Sequence, residues 1–307
     1  MLGKCLYQGR RYDRCRTSSG INRFISMTTA PRLRIASLVP SLTELAVSLG
    51  LQDYVVARTG FCIHPSAIVR DIPKLGGTKD VRLDRLREIG ASHLLVNVDE
   101  NRLETMREIE TWPPAARPQI VVTHPQGPDD VPPLIDQMVT VFADAPGITT
   151  VDRQRLRERA AQLRGELHDV LARTRAQPWR RQQVLYLIWR APWMTVARDT
   201  YVSRMLTCVN WHSMPALDGG ATGAGRYPVL HGDEPWLSGV DRVLLSSEPY
   251  SFTAAHVGEA QALCPNAQVQ LVDGEALSWY GPRTVDGLQI LQTLASLRQA
   301  SCARVQP

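Results

Sequence analysis

No stretch of this 307-residue chain approaches the ~18 uncharged apolar residues that a membrane-spanning helix needs, so the chain does not read as an integral membrane protein. It contains no C-x-x-C pair. Its six cysteines (5, 15, 62, 208, 264 and 302) follow no regular framework, which suits a reducing compartment and free, buried thiols. The catalytic signatures G-x-S-x-G, H-E-x-x-H and G-x-x-x-x-G-K-[ST] are all missing. The seven histidines are dispersed, none beside an obvious nucleophile and acid, so no catalytic residue is assigned and an enzyme is not expected.

The charge is unevenly spread. The net value of +5 arises in residues 1–32, where Lys4, Arg10, Arg11, Arg14, Arg16, Arg23 and Arg32 face a single acid, Asp13. The remainder carries 28 basic and 29 acidic side chains, a balanced body. A nucleic-acid footprint needs a basic face on the fold itself, so nucleic acid is not an expected partner. Segment 1–33 reads as a basic, disordered tail. It has no apolar h-region, and the sequence as it stands reads as cytoplasmic. The Arg- and Ser-rich make-up also resembles a transit peptide; a true start at Met27 is the simpler reading.

From Arg34 the chain alternates. Residues 34–39 read as a buried strand, and Ser41 with Glu44 three residues on forms a capping-box signature for the helix that follows. Strands are expected at 54–57, 93–96 and 119–122, with helices near 83–89, 103–109 and 131–141 between them. Then the rhythm breaks. Leu156, Ala160, Leu163, Leu167 and Val170 recur at spacings of four and three, so 151–176 reads as one amphipathic helix with Asp152 as its N-cap. Such a helix spans ~35 Å, the width of a domain, and reads as a strut. The alternation restarts with strands at 183–188, 242–245 and 269–272 and helices near 201–208, 234–239, 254–263 and 284–297. Asp84–Asn97 aligns without a gap on Glu234–Ser247, with Leu94-Leu95 falling on Leu244-Leu245. Two similar α/β lobes with mostly parallel sheets follow: 34–146 and 179–302, joined by a backbone helix within 147–178.

Ligands of open α/β sheets collect beyond the carboxyl ends of the strands. Here those loops are rich in aromatic and charged residues: Phe61–Pro65, Gly76–Asp80, Asn97–Asn101, Trp189–Trp193, Glu248–Tyr250 and Ser278–Gly281. Trp189 and Trp193, four apart, either pack or line a cleft. Trp279 and Tyr280, adjacent in a turn, are poorly explained by core packing. Cys62-x-His64 offers two potential metal ligands where zinc takes four, or three and a water, so His64 is expected to hydrogen-bond a ligand or backbone and no metal is assigned. Gly219–Gly225 is not a dinucleotide fingerprint and reads as a mobile loop at the cleft mouth.

The segment Ile35-Ala36-Ser37-Leu38-Val39-Pro40-Ser41-Leu42-Thr43-Glu44-Leu45, the Gly76-Gly77-Thr78 loop, the leucine-bearing helix and strand after it and the long mid-chain helix together resemble the helical-backbone metal receptors. These are the class III substrate-binding proteins of ABC importers, among them the vitamin B12 and iron-siderophore binders. The resemblance spans about residues 34–300. It implies two Rossmann-like lobes on one long rigid helix, with a corrinoid-like or iron-chelate-like guest in the cleft and no tightly held cofactor. His64, Asn97, Glu100, Trp189, Arg190, Trp193, Glu248, Tyr250, Trp279 and Tyr280 would line that cleft, with Arg190 as an anion partner. Asp84 and Glu234 match the acids that dock into an ABC transporter permease; as surface acids on helices they serve solubility equally well. Positions His64, Thr78 and Asn97 are polar where the B12 binder is aromatic, which suggests a smaller or more polar guest. Typical members are periplasmic, whereas an intracellular sensor or carrier acting on a protein partner is the alternative. A monomer is expected.

Overall fold

The computed structural model describes residues 32–302; of the basic segment 1–33 all but the last two residues lie outside them, as does Met27. In chain order the first lobe contains β1 (Ile35–Ser37), α1 (Pro40–Ser48), β2 (Val55–Arg58), α2 (Ser66–Val69), α3 (Leu83–Ile89), β3 (His93–Asn97), α4 (Leu103–Glu110), β4 (Gln119–Thr123) and α5 (Val131–Phe142). The long helix α6 covers Thr150–Arg175. The second lobe holds β5 (Gln182–Leu187), β6 (Trp193–Met194), α7 (Tyr201–Thr207), β7 (Trp211–Ser213), β8 (Val229–Leu230), β9 (Arg242–Ser246), α8 (Val257–Leu263), β10 (Gln268–Val272), α9 (Gly274–Ser278) and α10 (Arg283–Cys302).

Each lobe is built on a four-stranded parallel sheet, ordered β2-β1-β3-β4 in the first and β10-β9-β5-β7 in the second. Numbered within its own lobe, each sheet runs 2-1-3-4. The repeat read from the sequence therefore superposes third strand on third strand, β3 on β9. The added β6–β8 pair is antiparallel and belongs to the second lobe alone.

Side-chain alternation along the strands divides the core. Leu94 and Val96 join one cluster with Leu86, Met106 and Ile109, whereas Leu95 faces the opposite way. Likewise Leu185, Leu187, Val243 and Leu245 pack with Leu237 and Ala260, while Val184, Tyr186 and Leu244 turn inward. The inward faces of both sheets share one continuous core with α6. Leu156, Ala160, Leu163, Leu167 and Val170, the stripe read from the sequence, are all buried in it. At 26 residues the helix is ~39 Å long. It packs against α5 of the first lobe and α10 of the second.

Both ends of α6 are tied down. Thr149, not Asp152, is the N-cap: its Oγ1 accepts from the Asp152 amide at 3.0 Å. Asp152 sits three residues on and its Oδ2 accepts from Tyr54 Oη at 2.7 Å, anchoring the helix to the first lobe. Hydrogen bonds from Thr149 and Tyr54 hold the Asp152 carboxyl below its ordinary pKa. At the far end Gln292 Nε2 donates to Thr174 Oγ1 at 2.6 Å, joining α6 to α10. The expected capping box at Ser41 and Glu44 does not form. Val39 is the N-cap residue, Pro40 takes the first turn, and Ser41 is already inside the helix.

Candidate functional site

The carboxyl ends of the two sheets face each other, and the loops beyond them touch. In the first lobe α1 follows β1 at once and carries Ser41 and Glu44 on its first turns. The loop after β2 carries His64. The loop after β3 is tightened by two Asn side chains: Asn97 Oδ1 accepts from the Asp99 amide and Asn101 Oδ1 from the Asn97 amide, both at 2.8 Å. That turn fixes Asp99 and Glu100. His124 follows β4 directly.

In the second lobe Glu248 lies in the loop after β9. Its Oε1 accepts from Ser278 Oγ and Trp279 Nε1, both at 2.7 Å. Helix α9 presents Glu275, the turn between α9 and α10 presents Trp279 and Tyr280, and Arg283 opens α10. Gly281 makes that turn at φ 104°, a conformation other residues rarely adopt. Arg226 ends the glycine run. Its guanidinium donates to the carbonyls of Gly220 at 2.9 Å and Asp199 at 3.2 Å, and the side chain is 2% exposed.

These groups meet where the two lobes touch. Arg283 Nε lies 2.6 Å from Glu44 Oε2 and its Nη1 3.3 Å from Glu275 Oε2. His64 Nε2 is 3.0 Å from Glu275 Oε2, with its ring edge-on to Trp279. Tyr280 Oη donates to Glu100 Oε1 at 3.3 Å. Arg226 Nη2 approaches Asp99 Oδ2 at 3.4 Å, and Nη1 approaches Asp199 Oδ2 at 3.8 Å. His124 Nε2 is also 3.4 Å from Asp99 Oδ2.

Burial dominates the electrostatics. Desolvation pushes the Glu100 carboxyl up to about 8, against the hydrogen bond from Tyr280, and the nearby Glu248 and Asp99 add to the rise. Desolvation also raises Glu248 above its ordinary value, against its bonds from Ser278 and Trp279. Several polar atoms are buried without a hydrogen-bond partner among the described residues: Ser41 Oγ, Asp99 Oδ1, His124 Nε2 and Arg226 Nε. All four belong to the residues that line the lobe junction.

The structure thus brings His64, Glu100, Glu248, Trp279 and Tyr280 together. Trp279 and Tyr280 are 8% and 5% exposed; Tyr280 belongs to the central core, whereas Trp279 is held by Glu248 and lies edge-on to His64. Asn97 is buried and serves the turn. Trp189, Arg190, Trp193 and Tyr250 form a second cluster with Phe252 and His256: Trp189 meets Tyr250 edge-on, Trp193 stacks on Phe252 and Arg190 pairs with Glu259. Asp84 is exposed on α3. Glu234 precedes a short 3₁₀ turn instead of lying on a helix, and its carboxylate accepts from the amides of His231 and Gly232. Cys62 faces Thr59 while His64 faces Glu275, so the two do not converge. Cys62, Cys208 and Cys264 are free and buried. Sequence reasoning missed Glu44, Asp99, His124, Arg226, Glu275 and Arg283. Asp99 lay inside the Asn97–Asn101 loop that the sequence singled out, and Arg226 is the charged residue closing a glycine run. Two cavities of about 360 and 460 Å³ lie elsewhere, one along α10 at Asp286–Leu294 and one between α5 and α6 at Pro132, His168 and Leu171.

No family model matches the sequence, and no curated protein matches it. Solved structures do. The chain is similar to the periplasmic vitamin B12 binding protein BtuF of Vibrio cholerae, with a TM-score of 0.68 and 16% identity over 88% of this chain and 98% of that one. It is similar to the periplasmic heme binding protein HutB of Vibrio cholerae, with a TM-score of 0.66 and 19% identity over 85% and 98% of the two chains. The periplasmic heme-binding protein RhuT from Roseiflexus sp. RS-1 gives a TM-score of 0.65 and 20% identity over 86% and 97%. The chain thus shares the fold of these three periplasmic binding proteins.

Proposed function

We propose that the protein is a solute-binding protein that holds a metal-chelate-type small molecule, corrinoid-like or iron-chelate-like, in the cleft between its lobes. One observation carries this reading: two sheets of the same strand order, fixed on one rod, face each other through loops whose polar groups meet across the junction, in a fold shared with named B12- and heme-binding proteins. Those neighbours are binding proteins and not enzymes, and the junction here offers recognition groups. The guest enters where Tyr280 meets Glu100 and Arg283 meets Glu44, exchanging contacts between the lobes for contacts with itself. His64, Glu100, Glu248, Trp279 and Tyr280 contact it directly. Trp189, Arg190, Trp193 and Tyr250 flank that site, and Asn97 shapes it.

Asp84 and Glu234 fit docking acids for an ABC permease. Each leads into the third strand of its lobe, so they are equivalents under the internal repeat. Delivery to such an importer places the protein in the periplasm, where the named neighbours reside. No helix of the described residues is long and apolar enough to cross a membrane. Titration with corrinoids, haem and ferric chelates, followed by tryptophan fluorescence, tests the reading. Saturable quenching that is lost in Trp279→Phe is expected, and silence across all three classes contradicts it.

A further inference from the structure

The proposal here rests on the cleft reading and concerns which guests the cleft accepts. Six carboxylates meet at the lobe junction: Glu44, Asp99, Glu100, Asp199, Glu248 and Glu275. Two guanidinium groups, Arg226 and Arg283, and two imidazoles, His64 and His124, oppose them. With both imidazoles protonated and Glu100 carrying a proton as well, the cluster still holds a negative excess.

The placement of the arginines matters more than their number. Each lies between one carboxylate from either lobe: Arg283 between Glu44 and Glu275, and Arg226 between Asp99 and Asp199. A guest carboxylate that reaches for either arginine displaces a tethered carboxylate and leaves it half-buried beside other acids. That exchange is unfavourable. Meanwhile Arg226 Nε, a donor, and Asp99 Oδ1, an acceptor, belong to paired residues and are both buried without a hydrogen-bond partner among the described residues. A carboxamide offers the acceptor that the first atom lacks and the donor that the second lacks; a carboxylate can only accept. We propose that this cleft selects an uncharged or cationic chelate bearing amide or hydroxyl groups, and discriminates against chelates that present carboxylates or carry net negative charge.

Two probe series test this by calorimetry on the whole chain. One pairs cyanocobalamin, whose rim carries carboxamides, with the derivative in which one rim amide has been hydrolysed to the acid. The other pairs a cationic ferric trihydroxamate with a trianionic ferric tricatecholate. The less anionic member is expected to bind about tenfold tighter or more in any series that binds. Glu248→Gln, which removes a charge and keeps an acceptor for Trp279 Nε1, should narrow that ratio by roughly threefold or more. Equal or tighter binding of the anionic member overturns the charge selection while leaving the cleft reading intact. Failure of every probe to bind removes the cleft reading, and this inference with it.

Discussion

Glu100 offers the sharpest quantitative test of how closed the lobe junction is. Its carboxyl rises from an ordinary 4.5 to about 8, chiefly by desolvation. Between those two values the folded protein binds a proton that the unfolded chain has released. Stability therefore falls as pH climbs through the window, by about 1.4 kcal/mol per pH unit for a fully coupled group. The whole window corresponds to ~5 kcal/mol, but Glu100 keeps some contact with solvent, so a loss of roughly 2–3 kcal/mol is expected. Glu100→Gln keeps an oxygen for the Tyr280 hydroxyl and abolishes the titration. In urea unfolding the variant should match the parent within about 0.5 kcal/mol near pH 5 and exceed it by roughly 2–3 kcal/mol near pH 8.5. A difference that does not change with pH, or a variant weaker than the parent at pH 8.5, would show an ionised, well-solvated Glu100 and refute the closed junction.

Three further substitutions probe the frame. Arg283→Met leaves Glu44 and Glu275 without their shared cation; a loss of about 2–4 kcal/mol is expected in the same unfolding assay, with part of it recovered in the double variant with Glu44→Gln. Thr149→Ala removes the α6 cap and should cost about 1 kcal/mol, read as a lower urea midpoint at unchanged slope. Gly287→Ala drives a methyl group into the Ala276 carbonyl where α10 crosses α9, so thermal unfolding should shift down by several degrees, about 1–3 kcal/mol.

How much was legible in the sequence follows from the range of each interaction. The rod announced itself because Leu156, Ala160, Leu163, Leu167 and Val170 encode one helical face locally. The paired third strands were visible because Leu94-Leu95 and Leu244-Leu245 repeat the same pattern between similar flanks. Caps were misplaced: Pro40 holds the first turn that Ser41 was expected to cap, and Asp152 supports the cap that Thr149 makes. Strands of two or three residues, β6, β7 and β8, are too short to show a period. The junction between the lobes was half legible. His64, Glu100, Glu248, Trp279 and Tyr280 stood out as polar or aromatic residues in loops after strands. Their partners did not, because Glu44 and Arg283 are 239 positions apart and only the assembled lobes bring them together. Trp189, Trp193 and Tyr250 looked like cleft residues by composition, yet each found ring partners within its own lobe.

The clamp is tested most directly by hydrogen–deuterium exchange with and without a saturating chelate. Binding between the lobes predicts slowed exchange in segments 97–101 and 278–283 together, one from each lobe, with the amides of α6 unchanged. Protection confined to a single lobe, or spread along α6, would contradict it.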